Sequence, residues 1–295
     1  MGQGTMRTAA ILYPGEMGSA VGALLVAGGW TVSACVEGRS DHTREGAREA
    51  GLVLAPTLAE AVAASDLVVS LVSQDGVLDT AGAFVAAAAG GRDRPQVYLD
   101  ANSVAPETVR RVAGLVSGAG ADVVDGAFVG GSRMLGQKTA LYLSGTRAAE
   151  VAAALPASLR ATVVGDEIGL ASAFKLAFAG FNKGLVALFL ETAAAGDAVG
   201  KREELLACLR DFYPGTVETV ERLLPSYPRH AHRRAREMHE LAEWLRETGH
   251  DALMSQAAEA VLERFAALGV ASDGPASLEA LLDACRRLGF LSRVD

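Results

Sequence analysis

The sequence predicts an α/β domain built on a mostly parallel sheet, followed by an all-helical domain. Short apolar runs alternate with helical stretches through the first half of the 295 residues, a glycine-containing turn follows the first run, and strand-like patterning stops after Gly165. Length alone favours two domains, read here as residues 1–165 and 166–295.

The runs Ala9–Tyr13, Thr31–Val36, Leu67–Val72 and Gln96–Asp100 are short, apolar and bounded by Gly, Asp or Pro, as strands buried on both faces are. Glu16–Ala27, Thr57–Ser65 and Val77–Ala89 read as helices between them, which implies right-handed βαβ crossovers. Asp122–Val129 and Ala140–Ser144 extend the sheet, and Thr162–Val164 adds a further short strand. From Ile168 onward the pattern is helical, punctuated by Gly196, Pro214, Pro225, Gly249 and Gly274. Ile168–Ala195 is overwhelmingly apolar, but Lys175 and Lys183 interrupt it, and no unbroken run approaches the ~20 residues of a bilayer span. It is expected to be a helix buried in protein, with no membrane partner.

A net charge of −8 argues against a nucleic-acid partner, since phosphate affinity needs clustered Lys and Arg. Cys35, Cys208 and Cys285 lack metal-ligand spacing and read as free thiols of a reducing, cytoplasmic compartment. Met1–Arg7 lacks the features of a signal peptide. His230, His232 and His239 have no carboxylate arrangement suited to a metal, so none is expected. Around them Arg233–Glu237 and Arg236–Glu240 are i,i+4 pairs, read as a solvated helix face.

Pro14-Gly15-Glu16-Met17-Gly18 joins the first strand to the first helix, aiming bare N–H groups and a positive helix end where a pyrophosphate could sit. Tyr13 holds the first glycine position of the G-x-G-x-x-G dinucleotide fingerprint, so an ordinary βα turn with packing glycines is the competing reading. At the end of the second strand, Glu37 suits the ribose of NAD, whereas Gly38-Arg39-Ser40 suits the extra phosphate of NADP. NADP is favoured over NAD, against the alternative of a solvated loop. The expected cofactor contacts are Gly15, Glu16, Met17, Gly18, Arg39 and Ser40, with Val72 and Ser73 where the third run ends and Asn102 beyond the fourth.

Four ordered segments carry a family resemblance: Tyr13–Gly18, Asp100-Ala101-Asn102-Ser103 with Pro106, Asp125–Gly131, and Gly169–Lys175. Through them the chain resembles the β-hydroxyacid dehydrogenase superfamily of 3-hydroxyisobutyrate and 6-phosphogluconate dehydrogenases. It is most similar to the branch with an uncharacterised 6-phosphogluconate-dehydrogenase-like C-terminal domain. The resemblance implies a Rossmann-type domain and a helical substrate and dimerisation domain. It implies Lys175 as catalytic residue, and Asn102, Ser103, Gly130 and Gly131 at the substrate. On the substrate side the chain departs from the pattern: Ala179 replaces the usual Asn four residues after the lysine, and Ser132 follows Gly130-Gly131 in place of Pro. Asn102 and Ser103 also suit a helix cap before Pro106, and the two glycines also suit a plain turn.

Lys175 lies among Leu170, Phe174, Leu176, Phe178, Phe181, Leu185 and Leu188, which predicts a desolvated amine with a lowered pKa. Snorkelling to solvent at a domain seam is the alternative. Asn182, seven residues on and two turns along the same face, is a candidate for the polar partner missing at Ala179, and Lys183 lies at the edge of that face. Together these readings predict hydride transfer between NADP and a carbonyl or alcohol carbon of a small, carboxylated substrate, in a homodimer. An imine reductase and a catalytically silent NADP-binding sensor or assembly subunit are the alternatives.

Overall fold

The computed structural model describes residues 6–88, 95–270 and 277–290. Strands of the first half alternate their side chains between two helix layers, and this period of two builds the sheet. They are β1 (Thr8–Leu12), β2 (Thr31–Cys35), β3 (Val53–Ala55), β4 (Leu67–Ser70), β5 (Val97–Asp100), β6 (Asp122–Val129), β7 (Ala140–Ser144) and β8 (Ala161–Gly165), in the order β3-β2-β1-β4-β5-β6-β7-β8. Neighbours are parallel except β6 and β7, which pair antiparallel. The helices of this half are α1 (Glu16–Ala27), α2 (Asp41–Glu49), α3 (Leu58–Ala63), α4 (Val77–Ala88), α5 (Pro106–Ser117) and α6 (Ala148–Ala154). Ile11, Val69, Leu99 and Val124 pack with Leu25 of α1 and Val151 of α6. Ala10, Val68, Tyr98 and Val123 pack with Val62 of α3, Phe84 of α4 and Val112 of α5. The sheet is therefore doubly wound. Its strand order reverses between β1 and β4, where such sheets open a crevice at their C-terminal ends.

The expected strands are present with ends shifted by a residue or two, and β3 is an addition. It is a three-residue edge strand whose Val53 is exposed, too short to leave a pattern. The expected Ala89 at the end of α4 and the break at Gly274 lie outside the described residues.

The second half contains α7 (Leu170–Ala198), α8 (Arg202–Phe212), α9 (Pro214–Leu223), α10 (Tyr227–Glu247), α11 (Leu253–Ala267) and α12 (Leu278–Arg287). Val186, Leu190, Val220, Met238, Leu262, Phe265 and Leu281 form its core. Pro214 opens α9 and Gly249 follows α10, as expected of helix punctuation. Gly196 instead lies inside α7: a Cβ there would come within 2.9 Å of the Arg202 Cα, so close approach of α8 demands the glycine.

Two compact units emerge, Met1–Lys175 and Leu176–Asp295, divided inside α7 and not at Gly165. By length and composition α7 could cross a membrane, with 39% of its most apolar window buried. The expectation of a helix buried on most sides is corrected. Val186, Ala187 and Leu190 are buried, but Phe174, Phe178, Phe181 and Leu188 are exposed, because the chain's own helices cover only one side.

Candidate active site

The nucleotide turn is shaped by its two glycines. A Cβ on Gly18 would lie 2.9 Å from the Tyr13 carbonyl and 3.1 Å from Ile11, so helix α1 can approach β1 only with glycine there. Gly15, the N-cap of α1, faces open space, leaving its side of the turn free for a phosphate. Tyr13 occupies the fingerprint's first position and carries the Arg39 guanidinium 3.8 Å over its ring. Ser40 caps α2, its hydroxyl accepting from the Thr43 N–H at 3.2 Å. Glu16 accepts a 2.6 Å hydrogen bond from Ser132, and Met17 packs against the core. These groups fit a dinucleotide at the β1/β4 switch point: a cradle, a helix end, a cation and a hydroxyl.

Four strands place polar side chains in one row across the sheet, at the ends of β4, β5 and β7 and midway along β6. Ser70 of β4 pairs in register with Asp100 of β5, Asp100 with Asp125 of β6, and Asp125 with Ser144 of β7. All four are buried. Side chains in register share a face, so the two carboxylates are neighbours, and like charge opposes their joint ionisation. Burial pushes the Asp100 carboxyl up to about 6; Asn102 pulls it down, Asp125 raises it further and the Lys175 ammonium lowers it. Oδ1 of Asp100 accepts from the Asn102 backbone at 3.0 Å and side chain at 2.8 Å, while buried Oδ2 has no hydrogen-bond partner among the described residues.

Asp125 is saturated. Its Oδ2 accepts from the N–H groups of Gly169 and Ser172, each at 3.0 Å, and from Ser144 Oγ at 3.1 Å; its Oδ1 accepts from Ser172 Oγ at 2.7 Å. Ser144 Oγ in turn accepts from the Ala171 N–H at 3.1 Å. Burial raises the Asp125 carboxyl pKa, and these hydrogen bonds oppose the rise. The row therefore supplies acceptors to the open N–H groups of α7 and anchors its first turn to the sheet. Lys175 is one turn beyond Ser172 on that anchored end. It is only partly buried, a correction to the expected enclosed amine, because Phe174 beside it is exposed and the helix is covered on one side.

Asn102 is clasped between β4 and β5: Nδ2 donates to Ser70 Oγ at 3.0 Å and to Asp100, and Oδ1 accepts from the Val72 N–H at 2.7 Å. Neither it nor Ser103 caps α5, whose N-cap is Ala105 with Pro106 in the first turn. Ser103 is exposed, its carbonyl accepting from Gln74 at 2.7 Å, and Ser73 nearby is also exposed. Gly130 has φ +125°, and a Cβ there would meet the Thr139 side chain and lie 2.9 Å from its Cα, so the β6–β7 connection itself requires glycine. Gly131 faces open space.

In the helical unit Asn182 is partly buried and Lys183 buried. Lys183 forms a 2.6 Å ion pair with Glu237 of α10, which also receives Arg233. Glu237 is thus buried, not part of a solvated face. Burial lowers the Lys183 pKa while Glu237 opposes the shift. The polar row was missed as a unit in the sequence, although β4, β5 and β7 each end on a signal, a Ser or Asp closing an apolar run; Asp125 lies midway along β6 and leaves no such signal.

Comparison with known proteins agrees with this architecture. The family described as the NAD binding domain of 6-phosphogluconate dehydrogenase matches residues 11–162, and a domain of unknown function, DUF1932, matches residues 197–265. The solved structure of conserved protein MTH1747, described as of unknown function and similar to 3-hydroxyacid dehydrogenases, is 28% identical and covers 90% of this chain and 100% of its own, with TM-score 0.70. Mycobacterium tuberculosis 3-hydroxyisobutyrate dehydrogenase shares the fold at 20% identity, 95% and 99% coverage and TM-score 0.74. An imine reductase from Myxococcus stipitatus shares it at 22% identity, 94% and 98% coverage and TM-score 0.59. The chain, a Rossmann-type sheet followed by a helical region, belongs to the family of the NAD binding domain of 6-phosphogluconate dehydrogenase, a family of NAD(P)-dependent dehydrogenases.

Proposed function

We propose that the protein is an NADP-dependent oxidoreductase acting on a carbonyl or alcohol carbon of a small carboxylated substrate. The observation that carries this reading is the anchoring of Lys175, through Asp125 and the first turn of α7, to the sheet whose strand β1 carries the nucleotide turn. When bound, the nicotinamide supplies or accepts the hydride. Lys175 protonates the substrate oxygen in reduction and takes its proton in oxidation. Asp100 stands beside this exchange with a carboxyl that changes charge near pH 6.

Gly15, Glu16, Met17 and Gly18 hold the pyrophosphate, and Val72, Ser73 and the Asn102 loop line the nicotinamide side. The Asn102 side chain is engaged within the protein, so it acts by holding its loop while Ser103 and the Gly130-Gly131 backbone meet the substrate. Asn182 takes the polar role absent at Ala179, whereas Lys183, expected at the substrate, is instead buried on Glu237 and holds α7 to α10. Arg39 and Ser40 favour NADP over NAD, the ring of Tyr13 presetting the guanidinium. The exposed Phe178, Phe181 and Leu188 suit a homodimer through the helical domain, and three free thiols suit the cytoplasm.

Imine reduction is the second reading, favoured by Ala179 on the substrate side and by the fold shared with imine reductases. A panel of keto acids and cyclic imines, assayed with NADPH and NADH, separates the two. Keto-acid turnover with NADPH preferred is expected, and NADPH binding without turnover on the panel would favour a silent binding protein. Lys175→Ala should lower turnover by about 10²-fold or more while retaining NADPH affinity; near-normal turnover in that variant would overturn the assignment.

A further inference from the structure

One face of α10 brings Arg233, Arg234 and Glu237 together. Glu237 is fully committed: Oε2 pairs with Lys183 at 2.6 Å and Oε1 with Arg233. Arg234, three residues earlier, has a different environment. Its NH2 donates to Ser226 Oγ at 2.9 Å, its guanidinium carbon lies 3.7 Å over the Tyr227 ring, and its buried NH1 has no hydrogen-bond partner among the described residues. Stacking on a ring offsets charge through the guanidinium face, but the N–H bonds lie in the plane and still require acceptors. A charged donor left unpaired out of water is costly, so the arrangement is complete only with an acceptor at NH1.

The neighbourhood confirms the sign of the missing group. Burial lowers the Arg234 pKa and Arg233 adds to that, with Tyr227 and Glu237 opposing. His230, one turn away, is likewise pushed down, by burial and then by Arg233, Arg234 and Arg229, against Glu237 alone. Further positive charge is resisted here, and negative charge is favoured.

We infer that Arg234 anchors an oxyanion site in the helical unit, its NH1 edge receiving a carboxylate or phosphate oxygen of a small molecule. Tyr227 and Ser226 fix the guanidinium before the ligand arrives, which makes the fork selective for a planar or tetrahedral oxyanion over a monatomic anion. Identification of that anion as the acidic group of the substrate rests on the oxidoreductase reading; the site itself does not.

Calorimetric titration of the whole protein with inorganic phosphate and with malonate, at ionic strength held constant with chloride, tests the site. Saturable binding of at least one is expected. Arg234→Met and Arg234→Lys should weaken it about 10-fold or more, and Arg246→Met, at the exposed far end of the same helix, should leave it unchanged. Stronger phosphate binding assigns a phosphorylated ligand, and stronger malonate binding a carboxylated one. Absence of saturable binding to wild type, or equal binding by Arg234→Met, overturns the site. Should the variants not fold, wild-type crystals soaked in the tighter anion decide: density on Arg234 NH1 supports the site, and density only elsewhere overturns it. The titration involves no cofactor and no turnover, so failure of the oxidoreductase reading and failure of the anion site give different results.

Discussion

Asp100 and Asp125 are register neighbours with opposite hydrogen-bonding circumstances. Asp125 receives four donated hydrogen bonds and the N-terminus of a long helix, whereas one oxygen of Asp100 receives none from the described residues. Asp100 therefore yields a pH prediction. The groups facing it are Tyr98 on its own strand, Asp125 on β6 and Lys175 on α7. With its pKa raised from 3.8 to about 6, the folded chain binds this proton more tightly than the unfolded chain does. The stabilisation is whole below about pH 4, falls as pH rises towards 6 and is lost above it, by about 3 kcal/mol at most. Asp100→Asn should thus be more stable than wild type at pH 7.5, with the advantage gone at pH 4, as read from urea midpoints. An advantage that does not change with pH would exclude this ionisation as its source. At this scale the sequence showed the right residue types in the right segments. It could not show which carboxylate is satisfied, because the donors come from Ser144 and Ser172, distant in sequence.

Among the elements, α7 is the one whose character depended most on tertiary structure. Its apolar composition predicts burial, yet Phe178 and Phe181 stand exposed while Lys183 is buried on Glu237, since composition does not say which face receives a neighbour. Its N-terminus likewise has no local cap signal; the cap is Asp125, presented from β6. Asp125→Ala should leave the N–H groups of Gly169 and Ser172 without their acceptor, costing about 3 kcal/mol and accelerating hydrogen exchange from Gly169 to Lys175. Unchanged exchange there would show that the turn is held by other means. Strands were more legible than helices, because those buried on both faces leave continuous apolar runs, and only the three-residue edge strand β3 escaped.

Across the whole molecule, two units with separate cores share one helix, α7. Phe178, Phe181 and Leu188 are spaced by three and seven residues, so they form one exposed stripe along α7. A contiguous apolar stripe of this kind is a surface for self-association. Sedimentation at micromolar concentration should find a dimer for wild type and a monomer for Phe181→Arg; a monomeric wild type would remove the case for pairing through this face.

The Asp125 clamp also divides labour within the fold. It ties Lys175, the proton donor we propose, to the sheet that carries the glycine turn, so the distance between that residue and the turn is inherited from the N-terminal half alone. The sequence of the helices beyond can then diverge without disturbing that distance.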